Sequence, residues 1–163
     1  RNAIVLNETP ARLSGVFSDY FDKILVDAPC SGEGMFRKNP EAIAEWSEDN
    51  VRMCAKRQDD ILDNAAMMLK PGGIMVYSTC TFSREEDEEC IERFLARHPD
   101  YELLDMEKLF PHRIRGEGHF AAKLKRKGSS HDGFCETGAV RGRLLSEIME
   151  EGLSRAPFPA SAP

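Results

Sequence analysis

Two segments of the 163-residue chain share one design. Lys23-Ile-Leu-Val-Asp27-Ala-Pro-Cys30-Ser-Gly-Glu-Gly34 and Gly73-Ile-Met-Val-Tyr-Ser-Thr-Cys80-Thr-Phe82 each carry a short apolar stretch into a tight polar turn. Each turn presents one cysteine just past the apolar stretch. A free thiol with a pKa of about 8.5 is only partly ionised at neutral pH, so a nucleophilic cysteine needs surroundings that favour its thiolate. The first turn adds Asp27, immediately before the rigid Ala28-Pro29 corner. Taken singly, these features have plain explanations. A cysteine near a strand end commonly fills space as a small hydrophobe, and an Asp after a strand commonly caps a turn. Gly32-Glu33-Gly34 and Gly72-Gly73 read as turns, since nothing matches GxGxxG or a P-loop. What points to chemistry is the coincidence of two turns, two cysteines and one aspartate at one predicted sheet edge.

The elements around them set that edge. Residues 23–26 and 74–77 predict buried strands, and 3–6 (Ala-Ile-Val-Leu) predicts a third, brief and buried. Asn39-Pro40 predicts an N-cap and first-turn proline for a short helix through Trp46, which reads as a packing residue. Ser47-Glu48-Asp49 should open a longer helix with Val51, Cys54, Ile61, Leu62, Ala65 and Leu69 along one side. Pro71-Gly72-Gly73 should end it in a turn. Ser83 with Glu86 reads as a capping box opening a helix to about Arg97, and the acidic run Glu85 to Glu89 as its dipole-matched start. Tyr101 to Leu104 and Phe120 to Lys125 predict two more strands. Strand and helix alternate as in an open α/β sheet, where ligands bind at the carboxyl ends of parallel strands. Neighbouring strands lie about 4.8 Å apart, so adjacent strand ends would turn both thiols toward one site. Residues 1–127 form the expected domain; 128–163 read as a linker or tail, interrupted by one weak helix at about 143–153.

Composition bounds the partners. Hydrophobic residues make up 41% and charged residues 31% of the chain, as in globular domains. The longest apolar run, Ala65 to Leu69, is too short to cross a membrane as a helix. With 22 basic and 28 acidic residues the net charge is −6, so nucleic-acid contact must come from a local patch. Arg37 and Lys38 beside the first turn, with Arg113 and Arg115 in a basic stretch from Lys108 to Lys127, are the candidates. Five cysteines with no CxxC pair predict neither a zinc ribbon nor a disulfide framework. His98, His112, His119 and His131 show no ligand spacing, so no metal is expected. No basic-then-apolar leader opens the chain, and a reducing cytoplasm is the expected compartment.

Asp27-Ala-Pro-Cys30-Ser-Gly-Glu-Gly and Tyr77-Ser-Thr-Cys80-Thr-Phe resemble motifs IV and VI of the RNA (cytosine-5) methyltransferases, the NOL1/NOP2/Sun family. Phe36-Arg-Lys, Trp46-Ser, Gln58 and Leu69-Lys-Pro-Gly-Gly continue the resemblance. Pro111-His-Arg-Ile-Arg-Gly-Glu-Gly-His-Phe is similar to the end of the catalytic domain in the F-type enzymes of the bacterial ribosomal branch. The resemblance covers roughly residues 2–126. It implies a Rossmann-like fold, S-adenosyl-methionine as cofactor and ribosomal RNA of the small subunit as partner. It also implies Cys80 as the nucleophile toward cytosine carbon 6, Cys30 as the group assisting release, and Asp27 as a hydrogen-bonding partner of the base. Asp27, Pro29 and Glu8, the last just past the segment 3–6, are the positions implied for cofactor contact.

The family's Gly-rich cofactor turn and the next strand's ribose-binding acid do not occur here. The chain is therefore expected to begin at the family's third strand, as an N-terminally truncated fragment. In the family's sheet order 3-2-1-4-5-7-6, the lost strands would lie between residues 3–6 and 23–28, leaving the latter with a bare edge. Such a fragment is expected to bind the cofactor weakly and to turn over nothing alone. Two other classes stay open: a cysteine hydrolase using Cys80, which needs a histidine base that neither turn has nearby in sequence, and a non-catalytic RNA-binding scaffold.

Overall fold

In the computed structural model, residues 3–129 are described. The elements run α1 (Pro10–Ser14), β1 (Phe21–Asp27), a 3₁₀ turn (Glu33–Met35), α2 (Glu41–Glu45), α3 (Glu48–Met68), β2 (Leu69–Thr79), α4 (Glu88–Arg97), β3 (Tyr101–Leu109) and β4 (His119–Arg126). The four strands form one mixed sheet in the order β1-β2-β4-β3, with β1 parallel to β2 and both β4 pairings antiparallel. This is the 4-5-7-6 part of the sheet order expected from the resemblance. The linker beyond residue 129 and the weak helix at 143–153 lie outside the described residues.

Register decides which side chains share a face. Val26 pairs with Tyr77, Tyr77 with Ala122, and Met75 with Leu124, so successive partners point the same way. Met75, Tyr77, Phe120, Ala122 and Leu124 are all at most 1% exposed and meet Leu62, Ala65 and Ala66 of α3 and Ile91 and Phe94 of α4. Burying a side chain of this size contributes about 1.5–3 kcal/mol. On the other face of β1, Leu25 is 72% exposed. α3 starts where expected: the Ser47 hydroxyl accepts from Asn50 N–H at 3.1 Å, satisfying a free donor of the first turn.

The structure corrects several expectations. Residues 3–6 form no strand, and Val5 is 94% exposed; a strand exists only through a hydrogen-bonded neighbour, and this segment has none among the described residues. Pro71-Gly72-Gly73 does not simply follow the helix as a turn. It lies within β2 as an irregularity, between the pairs Phe21 with Leu69 and Lys23 with Ile74, and Gly72 takes a left-handed φ of 81° there. The short helix begins one position later than read, with Pro40 as its N-cap, although Asn39 still accepts from Glu41 N–H. β3 reaches Leu109 because β4 supplies partners as far as His119.

The capping box is the main correction. α4 begins at Glu88, and Ser83 N–H donates to Thr81 Oγ1 rather than to Glu86. Glu86 and Asp87 are fully buried, so the acidic run is not merely a solvated helix start.

Candidate active site at two adjacent strand ends

β1 and β2 finish side by side, with Asp27 opposite Ser78. The chain then turns at both ends, and the Cys30 and Cys80 sulfurs meet at 3.3 Å, both half-buried. Asp27 is exposed beside them and accepts from Ser78 Oγ at 3.3 Å. Two thiols this close share one proton donor between them. Either sulfur could donate across this distance, and the shifts favour Cys30 in that role: its hydrogen bond to Cys80, and then burial, push its pKa up. The same hydrogen bond lowers Cys80 to about 7, outweighing burial and the Asp27 charge. The pair thus favours ionisation at Cys80 over ionisation at Cys30.

The two turns are clamped to each other. Gly34 N–H donates to the Cys80 carbonyl at 2.7 Å. A Cβ on Gly34 would sit 2.7 Å from that same oxygen, and 3.2 Å from the Glu117 carbonyl, so only glycine permits the approach. Glu33 accepts from Phe82 N–H at 3.0 Å with one oxygen and from Trp46 Nε1 at 3.0 Å with the other. Trp46 is therefore a partly exposed hydrogen-bond donor rather than a packing residue. Lys108 bridges Asp87 at 2.9 Å and Glu88 at 2.8 Å and donates to the Phe82 carbonyl, supporting the second turn from behind. Burial raises Asp87 to about 6, against the pull of its bonds to Thr79 and Lys108.

The group that holds the first turn has no signature of that role in the local sequence. The Glu86 carboxylate accepts from Ser31 N–H at 3.0 Å, from the Ser31 hydroxyl, and from Gln58 Nε2 at 2.8 Å. Gln58 Nε2 also donates to the Pro29 carbonyl at 2.9 Å, and Ser31 Oγ lies 2.9 Å from Thr81 Oγ1. Burial pushes Glu86 up from the ordinary carboxylate value. The Ser83–Glu86 spacing is a true local signal, but it cannot reveal that Ser31 and Gln58 compete for the same carboxylate.

The remaining candidates are spread out. Glu8 makes a 3.3 Å ion pair with Arg12 one helical turn on. Pro29 is exposed next to Cys30. Arg37 and Lys38 reach Glu117 at 3.2 and 3.9 Å, which docks the 110–118 segment beside the first turn. Arg113 and Arg115 in that segment are exposed and make no ion pair among the described residues. No group of three or more metal-ligating side chains occurs among the described residues, and no described helix is long and apolar enough to cross a membrane.

This arrangement has relatives. The chain is 40% identical over 128 residues to ribosomal RNA small subunit methyltransferase F of Pectobacterium atrosepticum, covering 68% of this chain and 26% of that protein. The same-named protein of Cronobacter sakazakii is 49% identical over 94 residues, covering 57% of this chain and 20% of that one. The chain thus spans about a quarter of the length of these relatives. Among solved structures, a methyltransferase homolog from Pyrococcus horikoshii matches with a TM-score of 0.67 and 29% identity, over 77% of this chain and 45% of that one. NSun6 from the same organism matches with a TM-score of 0.67 and 26% identity, over 79% and 36%. Residues 1–125, which include both cysteine turns and the whole core of the sheet, match the family described as 16S rRNA methyltransferase RsmB/F, and the chain belongs to that family.

Proposed function

We propose that this chain carries the catalytic cysteines of an S-adenosyl-methionine-dependent ribosomal RNA (cytosine-5) methyltransferase. The observation that supports the reading is the 3.3 Å approach of Cys30 and Cys80 at a sheet edge beside Asp27. Carbon 5 of cytosine is not nucleophilic unaided. Cys80 thiolate adds to carbon 6, and the displaced electron pair makes carbon 5 an enamine carbon able to take a methyl group. Asp27 hydrogen-bonds the base near N3 and its exocyclic amine, stabilising the charge that forms on the ring.

Cys30 changes role during the cycle. Its pKa is raised first by its hydrogen bond to the Cys80 sulfur. Once that sulfur is bonded to carbon, the anion it was paired with is gone and Cys30 ionises more readily. It then assists removal of the carbon 5 proton, and β-elimination returns Cys80. The target base must leave its stack to reach these sulfurs, at a cost of a few kcal/mol.

The exposed Asp27 carboxylate and Pro29 ring at the open edge of β1 fit a cationic, partly apolar cofactor, and these two residues with Glu8 are the positions we assign to it. When bound, S-adenosyl-methionine supplies the electrophilic methyl group. Arg113 and Arg115 are assigned to RNA phosphates, and Arg37 and Lys38, both 61% exposed, extend the same basic surface. A hydrolase would place an imidazole against the Cys80 sulfur, whereas its hydrogen-bond partner is the Cys30 thiol.

The test uses the whole enzyme that contains this chain, with labelled cofactor and small-subunit RNA. Cys80→Ala should abolish methylation, and Cys30→Ala should trap a covalent RNA adduct that survives denaturing gels. Full turnover by the Cys80 variant rejects the assignment.

A further inference from the structure

We propose that Glu86 is a positioning residue for Cys30: by holding Ser31 directly and Pro29 through Gln58, the buried carboxylate keeps the Cys30 thiol where it can donate to Cys80. The proposal rests on the reading of Cys30 and Cys80 as the reacting pair. Cys30 is flanked by Pro29 and Ser31. The Ser31 N–H and hydroxyl both donate to Glu86, and the Pro29 carbonyl is held by Gln58 Nε2, which donates to Glu86 as well. The turn is thus pinned on each side of the cysteine by one carboxylate and its amide partner. Ser31 Oγ also meets Thr81 Oγ1, the residue after Cys80, so the same knot fixes the second turn.

A purely space-filling core would not be built this way. Glu86 and Gln58 are both fully buried, and Gln58 Oε1 has no hydrogen-bond partner among the described residues. Its amide orientation is nevertheless dictated, because flipping it would turn its oxygen toward the Pro29 carbonyl and the Glu86 carboxylate. Burying polar side chains is costly, and apolar side chains of similar volume often replace buried polar groups without loss. The knot therefore does something that packing alone does not require, and what it fixes is the Cys30 turn.

The sign of one measurement separates positioning from mere support. The charged and titratable groups facing the Cys80 sulfur are Cys30, Asp27 and Glu86 itself, and Glu33 faces Glu86. As a charge, Glu86 disfavours the Cys80 thiolate, so removing that charge alone would lower the Cys80 pKa. Losing the Cys30 donor would raise it. General loosening would speed the labelling of every thiol.

The rate of Cys80 alkylation by iodoacetamide is read by peptide mass spectrometry on the whole enzyme that contains this chain, between about pH 5 and about pH 10. In Glu86→Gln the midpoint for Cys80 should rise by about one unit, and labelling at pH 7 should fall roughly fivefold. Glu86→Asp should recover part of the shift, and Cys54 and Cys90 should stay protected in both. A midpoint that stays or falls in a folded Glu86→Gln chain overturns the proposal. If Glu86→Gln exposes Cys54 and Cys90, the decision passes to Ser31→Ala, which removes only the hydroxyl. A smaller rise there supports positioning, and an unchanged midpoint overturns it. Because the readout needs neither RNA nor cofactor, it is separate from the methylation assay: absence of methylation would defeat the functional reading without moving this midpoint.

Discussion

Cys30 and Cys80 stand at the ends of β1 and β2, half-buried and sulfur to sulfur. Cys54 and Cys90 stand on α3 and α4, buried within the helical layer. The side chain is the same in all four places. In the helices the sulfurs reach a distant amide oxygen, Asn50 Oδ1, and a distant carboxylate oxygen, Asp59 Oδ1, each at 3.8 Å, and burial pushes Cys54 up and Cys90 to about 12. At the strand ends each sulfur has another sulfur for a partner, and one of the two falls to about 7. Burial by itself makes a thiol inert; a second thiol that keeps its proton makes the first one reactive. The lesson is that the pairing, not the cysteine count, carries the chemistry.

The contrast can be attacked at several points. The largest effect expected is selectivity: in the folded chain at pH 7, iodoacetamide should label Cys80 on the order of a thousandfold faster than Cys90. Comparable rates at the two sites, read by peptide mapping, would dissolve the distinction. Next comes the partner itself. Cys30→Ala should move the Cys80 midpoint from about 7 toward its ordinary 9.0, so labelling at pH 7 should drop by about tenfold.

Gly34→Ala should lower stability by about 1–3 kcal/mol in urea unfolding, since its Cβ meets the Cys80 carbonyl at 2.7 Å. A shallower effect is a pH dependence. Cys80 ionises more easily folded, at about 7, than at its ordinary 9.0, so its thiolate favours the folded state. That stabilisation is complete above about pH 9 and disappears as pH falls through about 7, while Cys30 remains a thiol across the window. The urea midpoint of the native chain should therefore climb across this interval and that of Cys80→Ala should not. The slope is small because the group is half in solvent. Smallest of all, Cys90→Ala should cost about 1 kcal/mol and leave the Cys80 midpoint where it was.

Much of this frame is legible from local pattern. The runs at 23–26 and 74–77 are apolar and β-branched, and Ser47 caps a helix with a clear apolar side, so β1, β2 and α3 declare themselves. The strand-end placement of Cys30 and Cys80 follows from those runs. What local pattern cannot supply is competition between distant segments. Residues 3–6 look like a strand, yet strand character depends on a neighbour. Ser83 and Glu86 have capping-box spacing, yet Ser31 and Gln58 outbid the local donor for the carboxylate. The polar stretch Asp105–Leu109 does not read as a strand, but pairing with β4 makes it one. Glu33 reads as an ordinary turn acid between two glycines, and its grip on Phe82 N–H emerges only once the turns are face to face.

Gly34 has a consequence for how such a site is altered. Its amide sits so close to the Cys80 carbonyl, with the Glu117 and Gly118 carbonyls behind, that three separate stretches of chain share a space with no room for one methyl group. Swapping either cysteine-bearing turn for that of a distant cousin would bring in a backbone cut to a different mould. Chimeras should succeed when the three stretches travel together and fail when they are exchanged one at a time.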